Sequence, residues 1–477
     1  MRNPSASKTS SPSQREIEAA TVNTHELGNV LLALLLLMLG ANLLGHLFSR
    51  LRQPKVVGEI VAGILLGPTL LGRLSPGFAA NLFGSGNGDP KAVVLGFMYD
   101  LGLLMLMFVS GCAAKHLLGK ANRRATAWIL GIGTPLPFLI ALVVAPMLPL
   151  ERFMGTAHSR QALVLVFAAA AAVTSIPVIT KIFYDLGILH TRFASLQLGS
   201  AVLEDIALWG VLSVAATIGA ANITSSSGEL TAVIGARMAV NTGFVVVALT
   251  VMPLVLRRVS RARWNVLAQH SPVAWMLSVF LAYVSFAAAL DVTLAFAALL
   301  AGFGVMGGMH GTEQLRFRLP MGSISDFAGF FFVPLYFATV GYRLDLSKTF
   351  DPIMLAGFLV GTSLIVFLSV GIGAKLAGMN RLDIVNLAIT QNARGGPGIV
   401  MASVAFDVGI INAPFFTTLV LTAVVTSQAC GFWLDHVLRK GWPLLSGADL
   451  RRRGIEPAPD EPPQRRELSL PASEAAR

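Results

Sequence analysis

Long apolar runs separated by short polar interruptions recur along the chain, near residues 28–48, 55–72, 92–113, 126–149, 162–183, 194–218, 231–256, 272–289, 292–308, 324–342, 353–374, 383–407 and 413–437. About 20 consecutive apolar residues is the length a helix needs to cross the hydrocarbon core of a bilayer, so the pattern predicts an all-α polytopic membrane protein with thirteen transmembrane helices. Two of these runs contain helix breakers. In the fifth, Thr174-Ser175-Ile176-Pro177 follows a run of alanines, and in the twelfth Asn392-Ala393-Arg394-Gly395-Gly396-Pro397-Gly398 interrupts the apolar pattern. Proline removes a backbone donor and glycine loosens a helix, so both spans are expected to unwind locally. A Thr-Ser-x-Pro stretch taken alone fits a simple kink equally well; Arg-Gly-Gly-Pro-Gly does not fit a plain helix.

The two broken spans are seven apart in order, so they cross the membrane in opposite senses. That is the sign of an inverted repeat whose paired broken helices meet near the midplane beside a binding site. The sixth span follows the first break and carries Ala201-Val202-Leu203-Glu204-Asp205-Ile206-Ala207-Leu208-Trp209, with two adjacent carboxylates in mid-run. A charge at that depth costs roughly 3 kcal/mol on insertion scales. Neighbouring helix positions point about 100° apart, so Glu204 and Asp205 cannot occupy one place and must have unequal roles. Thr174, Ser175 and the freed carbonyls of the breaks are candidate oxygen ligands beside them. Glu59, Asp100, Asp326, Gln391 and Asn392 are weaker candidates for lining a pathway. Glu59, Asp100 and Asp326 sit near span ends, where solvated charge is normal; Gln391 and Asn392 could equally satisfy freed backbone groups. Lys181 and His190 could sense pH from the loop between spans five and six, though loop charges are more often simply solvated. The cluster Phe330-Phe331-Phe332 reads as packing or lipid contact.

Composition agrees with the span count. Of 477 residues, 54% are hydrophobic and 13% charged, with a mean hydropathy of +0.69, outside the range of soluble domains. The formal charge of +11 lies in short loops and the C-terminal stretch and forms no basic face with aromatic readers, which excludes nucleic acid as a partner. With the N-terminus outside, the inner loops hold Arg50, Arg52, Lys55, Lys115, Lys120, Arg123, Arg124, Lys181, Arg192, Arg257, Arg258, Arg261, Arg263, Arg316, Arg318, Lys375 and Arg381. The outer loops hold Arg73, Lys91, Arg152, Arg160, Arg343 and Lys348. The excess predicts an outer N-terminus and a cytoplasmic C-terminus. Residues 1–27 are expected to form a polar tail with no cleavable signal, 28–438 the membrane domain, and 439–477 a disordered cytoplasmic tail too short and polar for a regulatory domain. Cys112 and Cys430 lie in apolar runs and fit neither a disulfide framework nor a zinc site.

The segments QPKVVGEIVAGILLGPTLLG at 53–72, LGLLMLMFVSG at 101–111, AVTSIPVITKIFYDLGIL at 172–189, AVLEDIALW at 201–209, FFVPLYFATVGYRLDL at 331–346 and NARGGPGIVMASVAFDVGII at 392–411 resemble, in order and spacing, the monovalent cation:proton antiporter superfamily, specifically its second bacterial branch, related to the sodium/proton exchangers. The resemblance covers residues 28–438 and implies the sodium/proton antiporter fold, in which a core domain built on the crossed broken helices moves against a scaffold that usually forms a homodimer. It implies secondary active exchange of Na+ or K+ for protons in a bacterial inner membrane.

On that resemblance Asp205 matches the essential ion and proton carrier, since carboxylate oxygens serve a small cation or a competing proton but not both. Thr174, Ser175, Pro177, Arg394, Gly395, Gly396 and Pro397 match the broken-helix site. No cofactor, resident metal or enzymatic chemistry is implied; the cation is cargo. The sequence departs from the family pattern at Glu204, where Asp marks charge-moving members and Asn electroneutral ones. It departs again at Val366, where many relatives carry Lys or Arg; Lys375 lies too far along, which leaves Arg394 as the nearest candidate countercharge for Glu204. Ion-coupled transport of an organic solute or drug, a gated cation pathway and a non-transporting membrane sensor remain alternatives. The missing glycine-rich nucleotide-binding module after the last span separates the chain from ligand-gated potassium-efflux members.

Overall fold

A computed structural model describes residues 24–51, 53–84, 89–117, 129–133, 135–188, 191–224, 230–307 and 312–445. Among them the regular structure is helical, apart from one isolated bridge between Met154 and Ile411. In chain order the principal helices are α1 (Thr24–Arg50), α2 (Lys55–Leu66), α3 (Pro90–Leu117), α4 (Pro135–Val144), α5 (Arg160–Ala172), α6 (Ile176–Asp185), α7 (Arg192–Thr224), α8 (Leu230–Thr250), α9 (Met252–Arg261), α10 (Pro272–Ala289), α11 (Leu294–Gly307), α12 (Thr312–Phe327), α13 (Val333–Tyr342), α14 (Pro352–Leu376), α15 (Arg381–Gln391), α16 (Gly395–Asp407) and α17 (Ala413–Arg439).

Seven described helices are long and apolar enough to cross a membrane, and an eighth if the pair 239–250 and 252–261, bent by 44°, is one span. The other apolar windows differ in kind: the breaks at 173–175 and 392–394 divide two of them, the window at 126–149 is described only in part, α11 is 14 residues long, and α7, at 33 residues, carries Glu204 and Asp205 in mid-run. Length and composition therefore support a multi-pass protein without yielding thirteen uninterrupted crossings. The tails at 1–23 and 446–477 lie outside the described residues.

Local sequence sets the helix starts. α3, α4, α10 and α14 open on Pro90, Pro135, Pro272 and Pro352, whose missing N–H is an orphan of the first turn anyway. The side chains of Ser159, Asp351, Asn380 and Asn412 accept from first-turn amides, and Asn380 with Asp383 completes a reciprocal capping box. A π-turn at Ala328–Phe332 joins α12 to α13, so one span runs from Leu319 to Tyr342. It carries the phenylalanine cluster outward: Phe330 is exposed, and Phe327 stacks on Phe331 with ring centroids 5.7 Å apart.

Small residues bring helices into backbone contact. A Cβ on Gly63 would collide with the Ala338 carbonyl, and one on Gly341 with that of Ile60, so α2 and α13 cross at their glycines. Gly111 and Gly302 do the same for α3 and α11, against the carbonyls of Leu299 and Phe108. Lipid offers no hydrophobic drive between helices, and such close approach is how van der Waals contact replaces it. One buried apolar cluster unites α3, α5, α10, α11, α16 and part of α17; a second joins α6, the first half of α7, α14, α15 and the end of α17.

Candidate ion site

The two breaks meet. Val173 leaves α5 with extended backbone, and α6 resumes at Ile176; α15 ends at Gln391, and α16 begins at Gly395. Between them the Thr174 hydroxyl donates to the Gln391 carbonyl at 2.7 Å, and the Ser175 amide donates to the Ala393 carbonyl at 2.7 Å. Each break thus satisfies backbone groups that the other has freed, which is what non-helical backbone at membrane depth requires. Thr174 and Ser175 are fully buried. The crossing places the N-termini of α6 and α16 near one another, and helix N-termini carry partial positive charge.

Gly395 is the residue that permits the approach. Its φ is +38°, and a Cβ there would lie 2.5 Å from Ser175 Oγ and would also collide with Val178 Cγ2. Its amide donates to Ser427 Oγ at 3.1 Å, which ties the crossing to α17. Gly396 has more room, since a Cβ would meet only the Phe337 ring, at 3.4 Å. Pro397 is buried in the first turn of α16, and Pro177 occupies the first turn of α6, its side chain outside the described set.

α7 passes beside the crossing and buries Glu204, whose Oε2 accepts from Gln391 Nε2 at 2.7 Å. One residue therefore serves both partners: the Gln391 carbonyl holds Thr174 and its amide holds Glu204. Asp205 follows Glu204 on the same helix; its side chain lies outside the described residues, as do those of Lys181 and His190. Higher on α7, Gln197 Nε2 donates to the Leu387 carbonyl at 3.2 Å and binds α7 to α15.

Arg394, the expected countercharge for Glu204, is placed otherwise. The residue is 2% exposed, and its guanidinium lies 5.5 Å from the Phe358 ring centroid and donates from Nη2 to the Ala171 carbonyl and to Asn392 Oδ1, both at 3.4 Å. Nε and Nη1 reach no acceptor among the described residues. The cation thus faces the carbonyl end of α5, where a helix C-terminus favours positive charge. Asn392 also donates to Ser363 Oγ at 2.9 Å, which brings α14 to the site. Val366 is buried on α14, and Lys375 stands in its last turn.

The remaining pathway candidates separate. Glu59 is buried where its place near a helix end suggested solvation; Lys55 Nζ lies 3.6 Å from its Oε1 and also donates to Asn42 Oδ1 at 3.3 Å. Asp100 and Asp326 are exposed. Next to Asp100 lies a network the motifs did not announce. Arg343 Nη1 bonds Asp407 Oδ1 at 2.7 Å, the Tyr99 hydroxyl donates to Asp407 Oδ2 at 3.2 Å, and the guanidinium sits 3.9 Å from the Tyr99 ring centroid. Tyr336 stacks on Tyr99 and donates to Ser403 Oγ at 3.3 Å. The far end of α16 is thereby tied to α3 and α13. The available signal was three charged or phenolic residues at the same-side ends of spans three, ten and twelve.

Comparisons with known proteins agree with this architecture. The profile of the sodium/hydrogen exchanger transmembrane family matches residues 30–440. The Na(+)/H(+) antiporter NhaS4 of Synechocystis sp. is 25% identical over 406 residues, covering 83% of this chain and 94% of its own length. K(+)/H(+) antiporter 1 of Saccharomyces cerevisiae is 26% identical over 415 residues, 82% of this chain but 44% of the yeast protein. The Na(+)/H(+)-K(+) antiporter GerN of Bacillus cereus is 22% identical over 397 residues, covering 82% and 92%. Among solved structures, the sodium proton antiporter MjNhaP1 of Methanocaldococcus jannaschii superposes with a TM-score of 0.52 at 16% identity, over 86% of this chain and 94% of that one. With two broken helices bonded at their breaks, acids on the helix beside them and a family profile spanning nearly all of the membrane region, the chain belongs to the sodium/hydrogen exchanger transmembrane family.

Proposed function

We propose that this protein exchanges a monovalent cation, Na+ or K+, for protons by alternating access. The observation that carries the reading is the mutual bonding of the two breaks through Thr174, Ser175, Gln391 and Ala393, directly beside the helix that bears Glu204 and Asp205. Unwound backbone at that place supplies oxygen donors and two helix N-termini around a carboxylate. Carboxylate oxygens can hold a small cation or a proton but not both, so the two compete for the same site.

In this reading Asp205 is the shared carrier. Glu204, held by Gln391, shapes the site from the adjacent helix position. Thr174, Ser175, Pro177, Arg394, Gly395, Gly396 and Pro397 build the crossing, while Asn392, Glu59, Asp100 and Asp326 border the access paths. The core containing α5, α6, α15 and α16 moves against a scaffold that pairs with a second copy. The protein sits in a bacterial inner membrane, with the N-terminus outside, residues 28–438 forming the membrane domain, and the C-terminal tail in the cytoplasm.

The test is cation-induced collapse of an imposed pH gradient in everted vesicles. Asp205→Asn abolishes it while the purified protein keeps its elution profile; full exchange by that variant would sink the assignment. Repeating the assay across Na+, K+ and Li+, with and without a membrane potential, resolves selectivity and net charge movement.

A further inference from the structure

A concavity lies where α9 ends, the short helix Val266–His270 precedes α10, and α12 starts. Its volume is about 520 Å3, and Ser260, Arg261, Gln269, His270 and Arg316 line it. The walls are held by bonds of their own. Arg316 Nη2 donates to the Gln269 carbonyl, Gln269 Nε2 donates to the carbonyls of Ala262 at 3.1 Å and Arg263 at 3.2 Å, and Asn265 Nδ2 donates to the Val259 carbonyl at 3.1 Å. The cavity is therefore built into the turn and does not depend on a ligand to form it.

The sequence of these elements is rich in cations. From 257 to 271 the sequence carries Arg257, Arg258, Arg261 and Arg263 and no acid; from 311 to 318 it adds Arg316 and Arg318 against Glu313. A guanidinium presents a planar fork of donors that matches phosphate oxygens, and the resulting charge-assisted bonds are the strong ones. The elements that carry these lining residues also expose apolar side chains: Leu254 on α9 by 66%, Trp264 and Val266 in the connection by 73% and 62%, and Leu319 on α12 by 82%. An exposed indole and aliphatic side chains on the same elements as several arginines mark the level where acyl chains give way to headgroups. A free phosphate would have no use for those apolar side chains, whereas a phosphate carrying two acyl chains would cover them.

We propose that this cavity binds the headgroup of an anionic phospholipid, with the phosphodiester between Arg261 and Arg316 and the chains along Leu254, Trp264, Val266 and Leu319. The size suits one headgroup, since small-molecule sites run from roughly 300 to 1,000 Å3. Each arginine near an anionic lipid surface contributes roughly a fivefold gain in binding, so removing both lowers the preference for anionic lipid by about 30-fold.

The full chain is placed in nanodiscs of equal phosphatidylglycerol and phosphatidylcholine, and the lipids it retains on release are read by native mass spectrometry. Wild-type protein keeps phosphatidylglycerol selectively, and Arg261→Gln with Arg316→Gln loses that selectivity, while Arg160→Gln, at an exposed arginine elsewhere, keeps it. Unchanged selectivity in the double variant overturns the proposal. So does displacement of the lipid by millimolar inorganic phosphate or glycerol 3-phosphate, which would make the site one for a free anion. A photoreactive phosphatidylglycerol analogue on the wild-type chain provides a measurement that needs no variant: crosslinks fall within 254–270 and 316–319, and crosslinks confined elsewhere refute the site. Asp205→Asn retains the lipid, so loss of transport and loss of lipid binding are told apart.

Discussion

Gly395→Ala is the sharpest test of the crossing, because its cost follows from two independent features. The backbone at this position has φ of +38°, in the left-handed region that an L side chain adopts at a cost of about 1–2 kcal/mol. The added methyl would stand 2.5 Å from Ser175 Oγ and 2.8 Å from Ser175 Cβ, with Val178 closer still, and the break it would press on is itself bonded to Ala393. Overpacking of a buried site adds ~1–3 kcal/mol, so the variant should lose roughly 2–5 kcal/mol. The neighbouring Gly396→Ala provides the reference, since its methyl meets only the Phe337 ring at 3.4 Å. Both proteins are purified in the same detergent, their thermal unfolding is followed, and cation-dependent proton flux is measured after reconstitution. Gly395→Ala should unfold at a clearly lower temperature and lose flux even where it stays folded, while Gly396→Ala stays near wild type. Equal stability and equal flux in the two variants would refute the packing of α16 against the first break.

Thr174→Val removes the hydroxyl that satisfies the buried Gln391 carbonyl at 2.7 Å, and an orphaned buried acceptor costs about 1–3 kcal/mol; Thr174→Ser should restore the melting temperature, and a valine variant as stable as wild type would count against the bond. Arg343→Gln releases Asp407 and the Tyr99 ring; since the paired side chains are 30% and 36% exposed, the ion pair contributes at most about 1 kcal/mol, so the melting temperature barely moves. The same loss should open that side of α16, raising thiol labelling of a Ser403→Cys reporter by up to about fivefold, and unchanged labelling would deny Arg343 a closing role.

The breaks and the acids were legible because breakers and charges in apolar runs contradict the pattern around them. Thr174, Ser175, Pro177 and the stretch from Asn392 to Gly398 stand out for that reason, and the structure pairs the two stretches. What the chain did not disclose is which partner each polar group takes. Gln391 lies 187 residues from Glu204, and nothing local distinguishes a glutamine that bonds a carboxylate from one that satisfies a freed carbonyl. Arg394 was matched to Glu204 by charge alone, but packing sets it over Phe358 and against the carbonyl of Ala171. Tyr99 and Asp407 are 308 residues apart, so their contact depends on the fold bringing α3 and α16 together. The π-turn at Ala328–Phe332 is invisible to a pattern read at one helical period, because the phenylalanines continue the apolar run unbroken.

The mutual stitching of the breaks constrains how this chain can change length. Thr174 and Gln391 are 217 residues apart, yet each break closes the other's hydrogen bonds at a fixed register. Deleting one residue from 173–175 would slide Ser175 off the Ala393 carbonyl and turn α6 by about 100° relative to its neighbours. The insertion that loops tolerate is therefore closed to these two segments, and a register change in one survives only with a matching change in the other.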